Sequence, residues 1–295
     1  MKNLSPRTKI QIGSLLLPGL LMFSVFTLYP IVKLFVMSFF RWNFGSMLNQ
    51  TFNGIKNYQA VLGDKIFRIA FVNTLVYTTV TVLGQMALGL LVALLVHRIY
   101  RFKVSFRVVY YLPVITSWVI ASLVFRYVFN TEGLLNYFLS AVLHWTESNV
   151  HWLDTRWSSL TVSMLLGIWK GIGWNMVVFL AALQSVPVEL YEVAQIDSAS
   201  VVQQFFYITL PGIKNTVLFI LVMLTIGGFN VFTSIKLITN GQPAHQTETI
   251  LTWMYYKAFS TGEFGYSAAL SFIVALALAF LAALQFRLMK QQESS

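Results

Sequence analysis

The chain has 295 residues, 57% of them hydrophobic and only 10% charged, with a mean hydropathy of +0.70. Soluble domains carry about 25% charged residues, so this composition excludes an ordinary soluble protein and points to a membrane. The net charge of +10 raises nucleic acid as a partner. No run of Lys and Arg is interleaved with stacking aromatics, however, and cations in membrane proteins collect in cytoplasmic loops, so no nucleic-acid partner is expected. There is no cysteine, hence no disulfide and no thiol chemistry.

Lys2, Arg7 and Lys9 precede an apolar segment longer than a signal sequence needs, without a convincing cleavage site, which reads as a retained first span. Six apolar stretches reach the ~20 residues a span requires: residues 12–40, 69–96, 108–129, 160–183, 213–238 and 266–289. The first is interrupted by Pro18, Pro30 and Lys33. The expected fold is an all-α integral membrane protein of six transmembrane helices, a single transmembrane domain over 1–295. With the N-terminus inside, the inner segments hold ten cations (Lys2, Arg7, Lys9, Arg98, Arg101, Lys103, Arg107, Lys214, Arg287, Lys290). The outer loops hold six (Arg41, Lys56, Lys65, Arg68, Arg156, Lys257). Both termini are therefore expected in the cytoplasm, with Arg98 to Arg107 the clearest vote.

The outer loop 41–68, mixed polar and aromatic, predicts a folded cap or short interfacial helix. In the third span Pro113 predicts a kink, and Arg126, near the outer end, reads as snorkelling. The loop 143–159 carries Trp145, Trp152 and Trp157, an aromatic belt or, more sharply, a docking surface. The fourth span contains Lys170, a functional candidate because an ionisable group in lipid is expensive. Gly167 and Gly171, one turn apart, read first as a small-residue packing face. In the fifth span, Gly227-Gly228 permits close backbone approach or unwinding, and Asn230 is expected to set an amide deep in apolar surroundings. The tail Lys290 to Ser295 is polar and expected to fray.

Between the fourth and fifth stretches lies 186–211, VPVELYEVAQIDSASVVQQFFYITLP, too short in either half to cross a bilayer. Pro187 suits the first turn of a helix, with Glu189 and Glu192 on one face. Asp197 to Ser200 reads as a turn, and Val201 to Leu210 as a second helix stopped by Pro211. The result is an amphipathic helix–turn–helix knob on the cytoplasmic face. By composition alone it reads equally as an amphipathic loop in the headgroups.

Glu192-Val193-Ala194, Asp197-Ser198-Ala199 and Ile208-Thr209-Leu210-Pro211 resemble the EAA loop of binding-protein-dependent ABC importer permeases. Val193 stands where that pattern usually has Ala, and Ser198 where it has Gly, which leaves the turn geometry open because Ser disfavours positive φ. Further likenesses are Gly54-Ile55-Lys56-Asn57-Tyr58, Asn73-Thr74-Leu75, Gly133-Leu134-Leu135-Asn136, and Thr239-Asn240-Gly241-Gln242-Pro243 with Thr247-Glu248-Thr249, where Gln242 replaces a Gly. The residues themselves favour a cap or interhelical bond for Asn73. The likeness runs from Leu15 to Met289, on the maltose and glycerol-phosphate permease branch.

The resemblance implies a type I importer permease in a bacterial cytoplasmic membrane, forming half of the path for a mono- or oligosaccharide. Its implied partners are a second permease subunit, an ATPase subunit dimer carrying ATP and Mg, an extracytoplasmic solute-binding protein and membrane lipid. ATPase coupling would fall to Glu189, Glu192, Ala194, Asp197, Ser198, Ala199, Ile208 and Pro211. The substrate path would be lined by Lys170, Gly171, Trp174, Gly228 and Asn230. Glycerol phosphate or another polyol is the alternative substrate, with Lys170 as the anion site.

No G-x-x-x-x-G-K-[ST] phosphate loop is present, so ATP is expected on other chains and no cofactor on this one. His97, His144, His151 and His245 show no zinc-like pairing, and no triad or intramembrane carboxylate pair is legible. Nothing supports an enzyme or a metal site. From another class, a self-contained oligomeric secondary transporter would want charged relays within several spans. Only Lys33, Arg126 and Lys170 qualify. A non-transporting scaffold is the third reading.

Overall fold

The computed structural model describes residues 6–43, 50–99 and 101–293. The expectations for Lys2 and for the last two residues of the tail lie outside these. Among the described residues, five helices are long and apolar enough to cross a membrane, or six if one sharply bent pair counts as a single span.

The chain opens with α1 (Pro6–Phe23), a π-helical turn (Ser24–Leu28) and α2 (Tyr29–Ser38). Pro18 lies inside α1. Pro30, expected to interrupt the span, follows the π turn in the first turn of α2. A proline ring clashes with the carbonyl four residues earlier, and a π turn re-routes that hydrogen bond, so the helix passes the proline without ending.

Residues of 1–64 and 254–276 make one compact unit. Beyond α2, β1 (Phe40–Arg41) pairs antiparallel with β2 (Thr51–Phe52), and α3 (Lys56–Gly63) follows, the short helix expected in this loop. Asn57 and Tyr58 fasten α3 to the end of α2. The Asn57 amide donates to the Ser38 carbonyl at 2.8 Å and the Phe40 carbonyl at 3.0 Å, and the Tyr58 hydroxyl meets Ser38 Oγ at 2.8 Å. The Tyr266 hydroxyl donates to Asp64 Oδ2 at 2.7 Å.

The second unit comprises residues of 65–253 and 277–295. Its frame is α4 (Lys65–Arg98) against α8 (Arg156–Gln184). In lipid there is little hydrophobic drive between helices, so close packing of small residues takes its place. Gly171 of α8 accommodates the Gln85 side chain, and Gly89 of α4 the Cβ of Asn175; a methyl at either position would collide with its neighbour. Gly167 likewise receives the Tyr77 hydroxyl. The packing face expected from Gly167 and Gly171 is present.

Between them come α5 (Lys103–Ile115), α6 (Trp118–Val128) and α7 (Leu134–Tyr137). The third span is not kinked at Pro113. Helix α5 continues through Pro113 to Ile115, and α6 departs at 91° after a break at Thr116-Ser117. After α8 come α9 (Val188–Ile196), α10 (Val201–Gln204), a π turn (Phe205–Thr209), α11 (Leu210–Gly212), α12 (Lys214–Phe229) and α13 (Thr233–Ile238). Helix α14 (Ile250–Tyr255), a π turn (Tyr256–Ser260) and α15 (Phe264–Glu293) close the chain. Helix α15 carries the tail to Glu293 where fraying was expected; Gln291, Gln292 and Glu293 are good helix formers.

Candidate functional site: an exposed knob on a buried anchor, and two broken spans

Helix α9 ends in a Schellman turn. The Ala199 N–H donates to the Ala194 carbonyl at 2.9 Å and the Ser198 N–H to the Gln195 carbonyl at 3.1 Å. This geometry needs a left-handed residue between them, and Ser198 supplies it at φ 58°. The turn left open by a Ser in place of Gly is thus made, against the Cβ penalty that Gly avoids.

Ser200 then caps α10, accepting from the Gln203 N–H, while Gln203 Oε1 accepts from the Ser200 N–H at 2.7 Å, a capping box. Two expectations for the knob are corrected. Pro187 is the N-cap of α9, not part of its first turn. Pro211 does not stop the second helix: the π turn at Phe205–Thr209 re-routes the hydrogen bonds ahead of it, as at Pro30, and helical structure runs to Gly212.

The knob is held from below. Val186, Ile213, Phe179, Leu180, Leu183 and Val96 belong to one buried cluster, and Tyr191 and Ile208 pack against it. The Tyr191 hydroxyl meets Thr209 Oγ1 at 2.9 Å, joining the two arms. Ala194 and Ala199 are half-buried, whereas Glu189, Glu192, Asp197, Ser198 and Pro211 are exposed. The three carboxylates make no ion pair among the described residues. Beside them Leu190, Val193 and Ile196 are exposed, Ile196 at 82%. An apolar and acidic surface standing on a rigid base is suited to docking.

The five candidate path residues do not share one environment. Lys170 is only 4% exposed. Its ammonium donates to the Pro113 carbonyl at 2.7 Å, the Thr116 carbonyl at 2.6 Å and Thr116 Oγ1 at 3.2 Å, and lies 4.9 Å from the Trp118 ring centre. Gly171 faces Gln85. Trp174 is half-buried and packs against the cluster under the knob, a structural role. Gly228 is buried against Thr78 of α4, where an added Cβ would lie 2.7 Å from the threonine side chain. Asn230 is not deep in apolar surroundings: it is exposed in the gap between α12 and α13, and its amide caps its own helix through the Ile226 carbonyl at 2.9 Å.

Several polar residues gain partners that reading the sequence did not name. Gln85 Oε1 accepts from the Asn175 amide at 3.3 Å inside the α4–α8 contact. Asn73 donates to the Gln246 and Glu248 carbonyls at 2.8 and 2.6 Å and accepts from Arg156 Nε at 2.8 Å, the interhelical bonding expected of it. Thr247, Glu248 and Thr249 are buried. Asn136 bonds the Thr131 and Val150 carbonyls, the Val150 N–H and the Trp152 indole. Trp152 is therefore held half-buried, while Trp145 is 74% exposed. An Asn at the end of a short polar turn was the available signal for this clamp. Its partners were not legible.

A family model described as binding-protein-dependent transport system inner membrane component matches residues 85–293. The chain belongs to this family. The permease is 35% identical over 265 residues to the arabinooligosaccharides transport system permease protein AraP of Halalkalibacterium halodurans, covering 89% of this chain and 82% of that one. It is 31% identical to the lactose transport system permease protein LacF of Rhizobium radiobacter, over 91% of this chain and 90% of the other. A chain in the crystal structure of a bacterial alginate ABC transporter, in complex with an alginate pentasaccharide-bound periplasmic protein, superposes with a TM-score of 0.82. The two are 24% identical, over 95% of this chain and 93% of that one. That likeness speaks for the fold. The permease is thus a multi-pass membrane component of a transport system, not an enzyme.

Proposed function

We propose that the permease is one of two such subunits of an ATP-driven importer that moves a mono- or oligosaccharide across a bacterial cytoplasmic membrane. An extracytoplasmic binding protein delivers the sugar, and a separate ATPase pair, holding ATP and Mg, docks on the knob at 186–211. Both termini and the knob face the cytoplasm. The observation that carries this reading is the knob itself. Exposed Glu189, Glu192 and Asp197 stand beside exposed Leu190, Val193 and Ile196 on a base anchored by Tyr191, Thr209 and Ile213. The carboxylates orient the knob in an ATPase cleft and its apolar residues pack there. Movement of the cleft is passed to α8 and α12 through the cluster that both share, so the path opens alternately to the two sides.

The carbohydrate relatives support sugar as the cargo. For the path, Asn230 is the candidate with a polar group presented at a break in a span, while Gly171 and Gly228 let α8 and α12 approach α4. Glycerol phosphate fits less well, because the ammonium of Lys170 already donates to three oxygens of the chain. The secondary-transporter reading lacks an ion pair within the spans: among the described residues no carboxylate meets Lys170 or Arg126.

The test is affinity capture of the tagged chain from detergent-solubilised native membranes, with Glu192→Lys alongside. An ATPase subunit and a second permease are expected with the wild type. The variant is expected to insert normally and keep the second permease while losing the ATPase. A lone homo-oligomer, or undiminished ATPase on the variant, overturns the assignment.

A further inference from the structure

Two cations within the spans, Lys170 and Arg126, answer to backbone carbonyls at helix ends. In an unbroken helix the carbonyl of Pro113 would accept from the Ser117 N–H and that of Thr116 from the Ile120 N–H. The 91° break between α5 and α6 takes both donors away. A carbonyl left bare at membrane depth is costly, and so is a buried ammonium. Lys170 reaches across from α8 and offsets both costs, as the donor to the Thr116 carbonyl and, beside the Thr116 hydroxyl at 2.6 Å, to that of Pro113, with Trp118 over the charge. Among the described residues no carboxylate pairs with it. The negative end of α5 serves as the counter-charge.

Arg126 at the far end of α6 repeats the arrangement more loosely, with Nη1 3.4 Å from the carbonyl of Leu237 in the last turn of α13. Ala121 of α6 and Ile238 at the end of α13 share one buried cluster with Val162 and Leu166 of α8. The segments beyond the breaks in the third and fifth spans are therefore tied to each other and to α8.

The geometry points to Lys170 as a positioning residue that keeps the third span broken and so sets where α6, with α13 beside it, stands in the bundle. It acts on the path through the backbone and does not touch the cargo. That the segments so placed border a transport path rests on the function proposed above; the bend itself does not. Without the ammonium, the Pro113 carbonyl keeps only the Thr116 hydroxyl, at 2.6 Å, and the Thr116 carbonyl recovers a donor if α5 and α6 move toward one continuous helix.

The chain has no native cysteine, so spin-label pairs can be introduced directly into the full-length permease in lipid nanodiscs. Phe106→Cys on α5 and Leu123→Cys on α6 are both exposed sites. At 1.5 Å per residue their arms to the break are about 16 and 10 Å, giving about 19 Å across a right angle and about 26 Å along a straight helix. A control pair, Leu83→Cys on α4 and Leu165→Cys on α8, reports the core from exposed positions.

Lys170→Met is expected to shift the first distance toward the longer value, or broaden it across both, while the control pair keeps its distribution. Trp118→Leu, which removes only the roof over the charge, is expected to do the same to a lesser extent. A Lys170→Met distribution identical to that of the wild type overturns the proposal. If Lys170→Met also broadens the control pair, Trp118→Leu decides: a change in the first pair alone supports the proposal, and no change overturns it. Capture of the ATPase by the unmutated chain reads the transport assignment separately, so failure of either idea is distinguishable.

Discussion

The amide of Ala199 closes on the carbonyl oxygen of Ala194 at 2.9 Å, and the residue that makes this possible, Ser198, is held left-handed at φ 58°. An L-residue in that region costs roughly 1–2 kcal/mol, while glycine gives back about 0.5–1 kcal/mol in unfolded-chain entropy. Ser198→Gly is therefore expected to stabilise the turn by about 0.5–1 kcal/mol. Hydrogen exchange at the Ala199 amide should slow by roughly 2- to 5-fold, and a faster exchange would show that the serine side chain contributes something glycine lacks.

Adjacent glycines on α12 should respond in opposite directions. An added Cβ at Gly227 meets nothing within 4 Å, whereas at Gly228 it falls 2.7 Å from Thr78. Gly227→Ala is expected to be neutral or to stabilise by up to about 1 kcal/mol through helix propensity. Gly228→Ala is expected to cost about 1–3 kcal/mol by overpacking. Thermal unfolding of the two variants in one detergent compares them directly, and equal melting temperatures would mean α12 is not pressed against α4.

Asn73 joins three segments: α4, the stretch before α14, and α8 through Arg156. Asn73→Ala leaves the carbonyls of Gln246 and Glu248 and the Arg156 guanidinium without this partner, with an expected loss of about 2–4 kcal/mol. Limited proteolysis should then cut within 240–249 under conditions where the wild type resists. Intact digestion patterns would show that the buried Thr247-Glu248-Thr249 segment is held by other means.

Asn136 fixes the loop that carries the tryptophans, since its side chain meets Thr131, Val150 and Trp152. Asn136→Ala is expected to free Trp152 from its packing on Phe129 and to red-shift tryptophan emission, at a cost of about 1–3 kcal/mol for the unmet partners. An unchanged spectrum would mean Phe129 and the cluster beneath hold the indole without the hydrogen bond.

Much of this was written in the chain itself. Apolar length marks out the helical stretches because a bilayer tolerates no unpaired backbone. The charge-poor composition, the knob between the fourth and fifth stretches and its acidic face follow from local patterning. The glycines at 167 and 171 announce a close helix contact because small residues are what membrane helices pack with. Local sequence also erred in places that physics explains. Pro30 and Pro211 looked like interruptions, but a π turn ahead of each re-routes the carbonyl that the ring would strike. Only tertiary structure decided the role of the charged and amide side chains. Lys170 read as a site for cargo, yet its charge is met by carbonyls 54 and 57 residues earlier in the chain. Asn73 finds its acceptors 173 and 175 residues later. A polar group inside a span must find a partner, which the residue type reveals. Which partner it finds depends on how separate helices are brought together, and no local pattern encodes that.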